Sequence, residues 1–377
     1  MDRNLLVAAM AARLPRMLDD IEELVTCESP SSVLDAVAAS ADVVAKAGQR
    51  LLGVAPEHVV LGRRAHLRWR LGGGPGKVLL LAHHDTVWPL GTLADHPFSV
   101  RDGVLGGPGC FDMKAGIVLA LHAVAQLADA SGVTLLVTGD EELGSPTSRE
   151  LIEAEAAGCR AALVLEASAD GGALKTERKG VSLYRVRAVG RASHAGLEPE
   201  RGVNATIELA HQALAVHGLT DDERGTTVTP TVLSAGQTTN TVPAAGEFAV
   251  DVRMWGDAEQ ARIDDAMRAL RPVLDGAQLH VTGGPNRPPL PSAASAGLFA
   301  RASELAAELG LPPLTRAAVG GGSDGNFTAG VGTPTLDGLG AVGGGAHAPG
   351  EHVLVDALPG RAALLTALID DLIGERA

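Results

Sequence analysis

The sequence predicts an α/β fold with a mostly parallel central sheet, helices on both faces, and an inserted ferredoxin-like α+β domain. Three apolar runs alternate with helical periodicity in the first half of the chain, as in strands buried on both faces of a parallel sheet. Half-apolar strands in the order βαββαβ follow. A chain of 377 residues exceeds the size of one core. We therefore place the insert at 180–286, between two parts of one domain at 1–179 and 287–377.

Composition limits the partners of this chain. Its formal net charge of −14, without a Lys/Arg-rich run, argues against a nucleic-acid or anionic-membrane partner. Three cysteines without C-x-x-C spacing fit a reduced compartment. The N-terminus lacks a secretory signal, and no segment approaches the roughly 18 apolar residues of a membrane span. A cytoplasmic location is expected.

Two helices precede the sheet. Residues 4–26 have helical spacing, and Ser29-Pro30-Ser31-Ser32 ends this helix and begins another that runs to about Leu52. The segment Gly72 to Lys77 precedes a strand instead of following one, which argues against a phosphate-binding loop. It is predicted to be a hairpin turn.

The apolar segment 78–87 is predicted to be a buried strand that carries His83, His84 and Asp85 at its end. Alternate residues of a strand share a face, so His83 and Asp85 lie together and His84 points away. This pattern predicts a metal-binding His83 whose second ring nitrogen is held by Asp85. The alternative is a structural hydrogen bond between the two.

Carboxylates follow the next elements. Asp112 precedes a helical pattern and is either its N-cap or a metal ligand. The strand 133–138 ends in Asp140-Glu141-Glu142, whose mutual repulsion a cation would relieve, although a solvated acidic turn is the alternative. A helix is predicted through residue 130 after Asp112, and another from Ser145 to about Ala157. The strand 161–165 ends in Glu166. Ligands of open α/β sheets collect at the carboxyl ends of the strands, so these side chains are expected to meet.

The insert and the last part of the chain complete the predicted elements. The insert has strands at 181–189, 227–234, 247–255 and 277–282 and helices at 203–214 and 257–272. The last part has a helix near 294–309, a Gly-rich loop at 320–324, a strand at 333–337, a Gly-rich loop at 343–347 and a helix from about 356.

Five residues form the candidate metal site. They are His83, Asp112, Glu142, Glu166 and His347. Two imidazoles and three carboxylates exceed the three protein ligands of one tetrahedral catalytic zinc. They suit two ions about 3.5–4 Å apart that share a bridging carboxylate. Mixed nitrogen and oxygen ligands favour two Zn²⁺ per chain, and Co²⁺ or Mn²⁺ could substitute.

These motifs resemble those of the M20 metallopeptidases, and within them the glutamate carboxypeptidases of the carboxypeptidase G2 type. The matching segments are H-H-D-T-V (83–87), G-P-G-C-F-D-M-K-A-G (107–116), G-D-E-E-L-G-S (139–145), Glu166, R-A-S-H-A-G (191–196) and G-G-G-A-H (343–347). They occur in family order over nearly the whole chain. The resemblance implies a zinc-peptidase-like catalytic domain and an insert that acts as lid and dimerisation domain, hence a homodimer.

The resemblance also implies roles for the site residues. Asp112 would bridge the two ions, with His83 and Glu166 on one ion and Glu142 and His347 on the other. The implied catalytic residues are Glu141, Asp85 and His194. Glu141 would be the general base that takes a proton from the bridging water. His194 would stabilise the oxyanion, often from the partner subunit.

Substrate contacts are implied for the insert and for the Gly-rich loop. The residues are Asn240, Arg253, Arg287, Gly321, Gly322 and Ser323. Arg287 would bind the α-carboxylate of the substrate through its bidentate fork. Arg253 could equally form a surface ion pair, and Asn240 could cap a turn. Met113 stands where the G2 type commonly carries a second Asp.

The implied function is hydrolysis of an amide bond that releases a C-terminal glutamate or aspartate from a small N-acyl or peptidyl substrate. An N-acyl-amino-acid deacylase or a dipeptidase on the same scaffold is the close alternative. A non-catalytic metal-binding module is a third possibility, against which the intact Glu141 argues. With aromatics at 2%, few side chains can stack a pteridine ring, which argues against folate.

Overall fold

The computed structural model describes residues 3–72 and 76–374. Unit 1 comprises Met1–Glu177, Pro291–Val319 and Ser323–Ala377, and unit 2 comprises Arg178–Leu290 and Gly320–Gly322. The insert predicted at 180–286 falls inside unit 2, which also includes the residues up to Leu290. None of the described helices combines the length and apolarity needed to cross a bilayer.

Two helices come first in the described chain, and strands and further helices follow. The helices are α1 (Arg3–Thr26), α2 (Leu34–Leu52), α3 (Ala115–Val124), α4 (Arg149–Ala156), α5 (Ala205–His217), α6 (Asp257–Arg268), α7 (Ser292–Glu308), α8 (Gly325–Gly330) and α9 (Leu358–Gly374). The strands are β1 (Glu57–Leu61), β2 (Arg64–Arg70), β3 (Val78–His83), β4 (Ser99–Arg101), β5 (Val104–Gly106), β6 (Val133–Thr138), β7 (Ala161–Val164), β8 (Leu174–Arg178), β9 (Gly180–Val189), β10 (Thr227–Ala235), β11 (Ala245–Met254), β12 (Gln278–Arg287), β13 (Arg316–Val319), β14 (Thr335–Leu336), β15 (Gly343–Gly344) and β16 (His352–Leu354).

The central sheet of unit 1 has the strand order β1-β2-β6-β3-β7-β14. Strands β6, β3, β7 and β14 pair in parallel, and β1 and β2 add an antiparallel edge. The mostly parallel sheet predicted from the apolar runs is confirmed. Parallel neighbours end at the same edge, so the side chains that follow β3, β6 and β7 are brought together.

Strand β3 is buried on both faces, as its Val- and Leu-rich sequence predicts. Leu80 contributes to the large core that includes residues of α1, α3 and α9. Leu79 and Leu81 contribute to a second cluster on the other face, with Ile152 of α4 and Phe327 of α8. Burial of each such side chain stabilises the fold by about 1.5–3 kcal/mol. Helices therefore cover both faces of the sheet, as predicted.

The hairpin predicted at Gly72–Lys77 is wrong. Strand β2 pairs antiparallel with β6, and β3 pairs with the opposite side of β6 in parallel. Strand β6, which comes later in the sequence, therefore lies between β2 and β3, which a local turn pattern cannot reveal. Residues 73–75 of this connection lie outside the described residues.

Two predicted helices are shorter than expected. The helix predicted from Ser145 begins at Arg149, because Ser145 has a φ of 57° and Thr147 donates its backbone N–H to the Asp140 carboxylate at 2.8 Å. The helix predicted to continue to about residue 130 ends at Val124. Side-chain hydrogen bonds to the backbone compete with helical ones at such ends.

Unit 2 contains a four-stranded antiparallel sheet in the order β10-β11-β9-β12. With α5 and α6 it has the predicted order βαββαβ, so the ferredoxin-like arrangement is confirmed. Alternate residues of β9 are buried, and Val186 lies in one core with Leu209 of α5 and Ile263 of α6. Asn204 caps α5 by accepting the Thr206 N–H at 3.0 Å.

Candidate metal centre and active site

The candidate site of unit 1 lies at the carboxyl ends of β3, β6 and β7. His83 is the last residue of β3, Glu141 and Glu142 lie in the short turn that follows β6, and Glu166 follows β7. His84 points away from this edge, since its Nε2 lies 3.0 Å from a backbone oxygen of β2. Burial lowers the pKa of His84 to about 4.

Asp112 lies between two histidines. Its Oδ1 is 3.3 Å from Nε2 of His83, and its Oδ2 is 3.2 Å from Nε2 of His347. Helix α3 begins at Ala115 without a side-chain cap, so Asp112 is not its N-cap. Because each carboxylate oxygen faces a different imidazole, Asp112 has the geometry of a bridging ligand.

The other two carboxylates complete two ligand sets. Glu166 Oε1 lies 3.5 Å from Nε2 of His83, and Glu142 Oε1 lies 3.2 Å from Nε2 of His347. Ligand atoms that share one tetrahedral zinc are about 3.4 Å apart. The five side chains therefore have the spacing of two ligand sets that share Asp112.

The donor atoms at the centre of the site also fit a cation. Nε2 of His83 and Oδ1 of Asp112 are buried atoms that make no hydrogen bond within the described parts of the chain. Buried polar atoms without a partner are costly, and a bound cation would satisfy both. Ligand atoms of His83, Asp112 and Glu142 lie within 4.8 Å of one another, as do those of His83, Glu141 and Glu166.

The electrostatics of the site favour positive charge. Burial alone would raise the pKa of Asp112, but the close contacts with His347 and His83 hold it well below its usual range. Contacts with Asp112 and Glu142 raise the pKa of His347 to about 10. Burial opposes protonation of His83, but the carboxylates around it raise its pKa well above the ordinary value. The carboxylates around the two histidines thus favour positive charge at this point, which a bound cation would supply.

Asp85 makes further contacts besides the one predicted with His83. Nδ1 of His83 lies 3.0 Å from the backbone oxygen of Asp85, whereas the nearer carboxylate oxygen is 3.6 Å away. The Asp85 carboxylate accepts the Ser31 hydroxyl at 2.7 Å and the backbone N–H groups of Glu141 at 3.2 Å and Glu142 at 3.3 Å. It therefore connects the end of β3 to the turn that presents both glutamates.

Two candidate residues of unit 2 lie in exposed loops. Nδ1 of His194 accepts the backbone N–H groups of Gly196 at 3.2 Å and Leu197 at 3.1 Å. In the neutral imidazole the proton then lies on Nε2, which becomes a hydrogen-bond donor. Asn240 is exposed, and its backbone oxygen accepts the Ala195 N–H at 2.9 Å. This bond ties the Asn240 loop to the His194 loop.

The two arginines differ in their surroundings. Arg253 makes a bidentate ion pair with Asp251, with both N–O distances at 2.8 Å and one third of each side chain exposed. The ion-pair alternative considered for Arg253 is thus present in the structure. Arg287 ends β12 and is 6% exposed.

The Gly-rich loop is divided between the units. In unit 2, Gly321 O accepts from Nη1 of Arg178 at 2.9 Å. In unit 1, Ser323 is fully buried, and its hydroxyl donates to Asp337 at 2.6 Å. The Ser323 hydroxyl is therefore occupied by a structural hydrogen bond, in contrast to its predicted role in substrate binding. Gly322 lies between these two anchored positions.

One buried residue beside the site was not predicted. The Glu351 carboxylate accepts backbone N–H groups from the segment that carries Asp112. The sequence offered only a weak indication of this contact, since Glu351 is a single acidic residue in the loop after His347. Its partners are backbone amides, which no residue type identifies.

Comparisons with known proteins agree with this geometry. Residues 79–371 match the model of peptidase family M20/M25/M40. The chain is 31% identical to carboxypeptidase G2 of Pseudomonas sp. (strain RS-16) over 393 residues, covering 98% of this chain and 92% of the relative. It is 29% identical to succinyl-diaminopimelate desuccinylase of Xanthomonas euvesicatoria pv. vesicatoria (strain 85-10) over 390 residues, covering 95% and 100%.

Solved structures agree with the fold. A tripeptidase from Staphylococcus aureus superposes with a TM-score of 0.74 at 21% identity, covering 96% of this chain and 99% of that one. An M20 family metallo-carboxypeptidase from Sulfolobus solfataricus superposes with a TM-score of 0.71 at 17% identity, covering 95% and 98%. At these identities the likeness concerns the fold alone.

Proposed function

Because this chain belongs to peptidase family M20/M25/M40, we propose that it is a di-zinc amidohydrolase that releases a C-terminal glutamate or aspartate from an N-acyl or peptidyl substrate. Amide hydrolysis with metal dependence is the activity of the family. To this activity the proposal adds the number and identity of the ions and the preferred amino acid.

The position of Asp112 is the observation that supports two ions. Its two oxygens lie 3.3 Å and 3.2 Å from the imidazoles of His83, at the end of β3, and of His347, in the loop after β15. We assign His83 and Glu166 to one ion and Glu142 and His347 to the other. Two zinc ions bound there would supply Lewis acidity and lower the pKa of a water molecule.

Glu141 is the proposed general base. Its backbone N–H donates to Asp85 at 3.2 Å, which fixes the turn after β6. Its carboxylate lies near those of the candidate ligands, with an oxygen within 4.8 Å of ligand atoms of His83 and Glu166. From this position it would take a proton from water and deliver it to the leaving nitrogen.

Unit 2 would supply substrate contacts. His194 is suited to stabilise an oxyanion, because its Nδ1 accepts backbone hydrogen bonds and its Nε2 can donate. Arg287 is the proposed partner of the substrate α-carboxylate. A homodimer formed through unit 2 and a cytoplasmic location remain predictions from the sequence.

The alternative is an N-acyl-amino-acid deacylase or dipeptidase with another leaving amino acid. The match to a desuccinylase over 95% of this chain supports this alternative. The ion pair of Arg253 with Asp251 supports it too, since one of the two predicted substrate arginines already holds a carboxylate.

A substrate panel tests the proposal. Release of free amino acid is measured with acyl-glutamate, acyl-aspartate, neutral acyl-amino acids, folate and dipeptides, each with and without EDTA. The proposal expects EDTA-sensitive turnover that is fastest for acyl-glutamate or acyl-aspartate. Faster release from neutral substrates would favour the alternative, and no release from protein that binds two zinc ions would contradict hydrolysis of this substrate class.

Two arginine variants test which arginine binds the substrate α-carboxylate. Arg287→Ala is expected to raise KM for acyl-glutamate by about 10–100-fold, because a hydrogen bond to a charged group contributes about 1.5–3 kcal/mol. Arg253→Ala, the matched control, is expected to change KM little, because it removes a partly exposed ion pair. Equal effects of both variants would contradict the assignment of Arg287.

A further inference from the structure

The Glu351 carboxylate is fully occupied by hydrogen bonds. The residue is 1% exposed. Its Oε1 accepts the backbone N–H groups of Phe111 and Asp112, both at 2.9 Å. Its Oε2 accepts the Gly109 N–H at 2.8 Å and the Trp88 indole N–H at 2.7 Å. A carboxylate has about four acceptor positions, so these donors fill it.

The segment whose backbone N–H groups donate to Glu351 has little regular structure of its own. Gly109 has a φ of 71°, and Asp112 has extended dihedrals inside a turn that precedes α3. Helical hydrogen bonds therefore do not account for the Phe111 and Asp112 N–H groups. An unpaired buried N–H is costly, so the conformation of this segment depends on the Glu351 carboxylate.

Glu351 also belongs to the loop that carries His347. Its backbone N–H donates to Ala348 O at 3.1 Å, and the next residue begins β16, which pairs with β15 and β5. One side chain thus connects the His347 loop to the backbone of Asp112. Nε2 of His347 and Oδ2 of Asp112 lie 3.2 Å apart.

We infer that Glu351 is a positioning residue that sets Asp112 against His347 and thereby determines the affinity of the ion bound by Asp112, Glu142 and His347. The inference rests on the proposed two-ion site. The ion bound by His83 and Glu166 depends on it less, because His83 ends β3 and Glu166 follows β7, so both are positioned by the central sheet. Residues that orient metal ligands typically change metal affinity by about 10–100-fold when they are replaced.

Glu351→Gln tests this inference. The side-chain amide keeps the size of the carboxylate but turns an NH₂ group toward two N–H donors. We expect the affinity for the ion bound by Glu142 and His347 to fall by about 10–100-fold, with a smaller fall for the other ion, which shares Asp112. Competition with a chromophoric zinc chelator measures both affinities, and the absorption spectrum of the Co²⁺-loaded protein reports on the altered ion directly.

Asp20→Asn is the matched control. Asp20 is also a fully buried carboxylate of unit 1, and it accepts from His122 and Arg50, both at 2.8 Å, away from the site. It is expected to lower the melting temperature and to leave both zinc affinities unchanged. Equal zinc loss in both variants, or two wild-type affinities in Glu351→Gln, would overturn the inference.

Two further measurements separate the possible failures. Wild-type protein that binds fewer than two zinc ions would contradict the proposed function, whereas two ions in wild type and wild-type affinities for both ions in Glu351→Gln would contradict the inference alone. If Glu351→Gln does not fold, Trp88→Phe replaces it, because it removes one donor and keeps the carboxylate. A smaller loss at the same ion is expected, and unchanged affinities would overturn the inference.

Discussion

Units 1 and 2 hold their candidate residues in different ways. In unit 1, His83 is 2% exposed, and the ligand atoms of His83, Glu142 and Glu166 lie at the ends of three parallel strands whose register fixes where they lie. In unit 2, His194 and Asn240 lie in exposed loops beside an antiparallel sheet. Contacts between neighbouring side chains define the geometry of the candidate residues in unit 1. In unit 2, backbone hydrogen bonds within and between two loops define it.

This difference indicates a division of labour. A metal site needs several donors at fixed distances, which a buried edge of a parallel sheet provides. Substrate contacts must admit molecules of different shape, and loops on a rigid scaffold allow this. Variants in unit 1 should therefore change metal content or chemistry, and variants in unit 2 should change catalysis or stability while metal content stays constant.

The largest expected effect separates two neighbouring glutamates of unit 1. Glu141→Ala should lower kcat by about 10²–10⁴-fold, the usual contribution of a general base, with two zinc ions still bound. Glu142→Ala should lose one ion as well as activity, because Glu142 lies 3.2 Å from His347. Metal analysis and kcat of both purified variants check this. Loss of an ion from Glu141→Ala would instead make Glu141 a ligand with His83 and Glu166.

A smaller effect is expected from His194 in unit 2. His194→Ala should lower kcat by about 10²–10³-fold, as for the loss of one oxyanion donor, with unchanged metal content. His280→Ala, which changes an exposed histidine on β12 of the same unit, is the control and should behave like wild type. Metal loss in His194→Ala would contradict the division between the units.

Mixing two inactive variants sharpens this comparison. If His194 acts across a homodimer, Glu141→Ala and His194→Ala chains should together form mixed dimers with one complete site. Recovered activity after mixing and subunit exchange is the expected result. A mixture as inactive as its components would assign His194 to the site of its own chain.

Much of unit 1 was predictable because a single physical rule covers it. Buried parallel strands are apolar, and residues that follow them meet at one edge, so the proximity of His83, Glu142 and Glu166 followed from the sequence. The alternating pattern of β9 likewise identified the half-buried sheet of unit 2.

Contacts between distant segments were not predictable from local patterns. The Glu351 side chain accepts backbone N–H groups, which every residue except proline offers, so no residue type identifies its partners. The hairpin error has the same origin, since the insertion of β6 between β2 and β3 depends on tertiary pairing. Ser323 resembles a ligand-binding residue in sequence, and only burial against Asp337 reveals its structural contact.

The smallest expected effect concerns the stability of unit 2. Glu259 accepts hydrogen bonds from Arg262 at 2.9 Å, Thr226 at 2.8 Å and Arg224 at 3.0 Å. The bond from Arg262 is the main reason that its pKa falls to about 2, from an ordinary value of 4.5. A depressed pKa stabilises the folded state above pH 4.5, and this contribution is lost as the pH falls toward 2.

Glu259→Gln should therefore lower the melting temperature at pH 7, by about 2–4 °C for each kcal/mol lost. The difference from wild type should narrow below pH 4.5 and close near pH 2. Thermal unfolding followed by circular dichroism across this range measures it, with Glu200→Gln at an exposed position as the control. Because Glu259 belongs to unit 2, zinc content should equal that of wild type at pH 7. A difference that does not vary with pH would mean that lost packing, not lost charge, destabilises the variant.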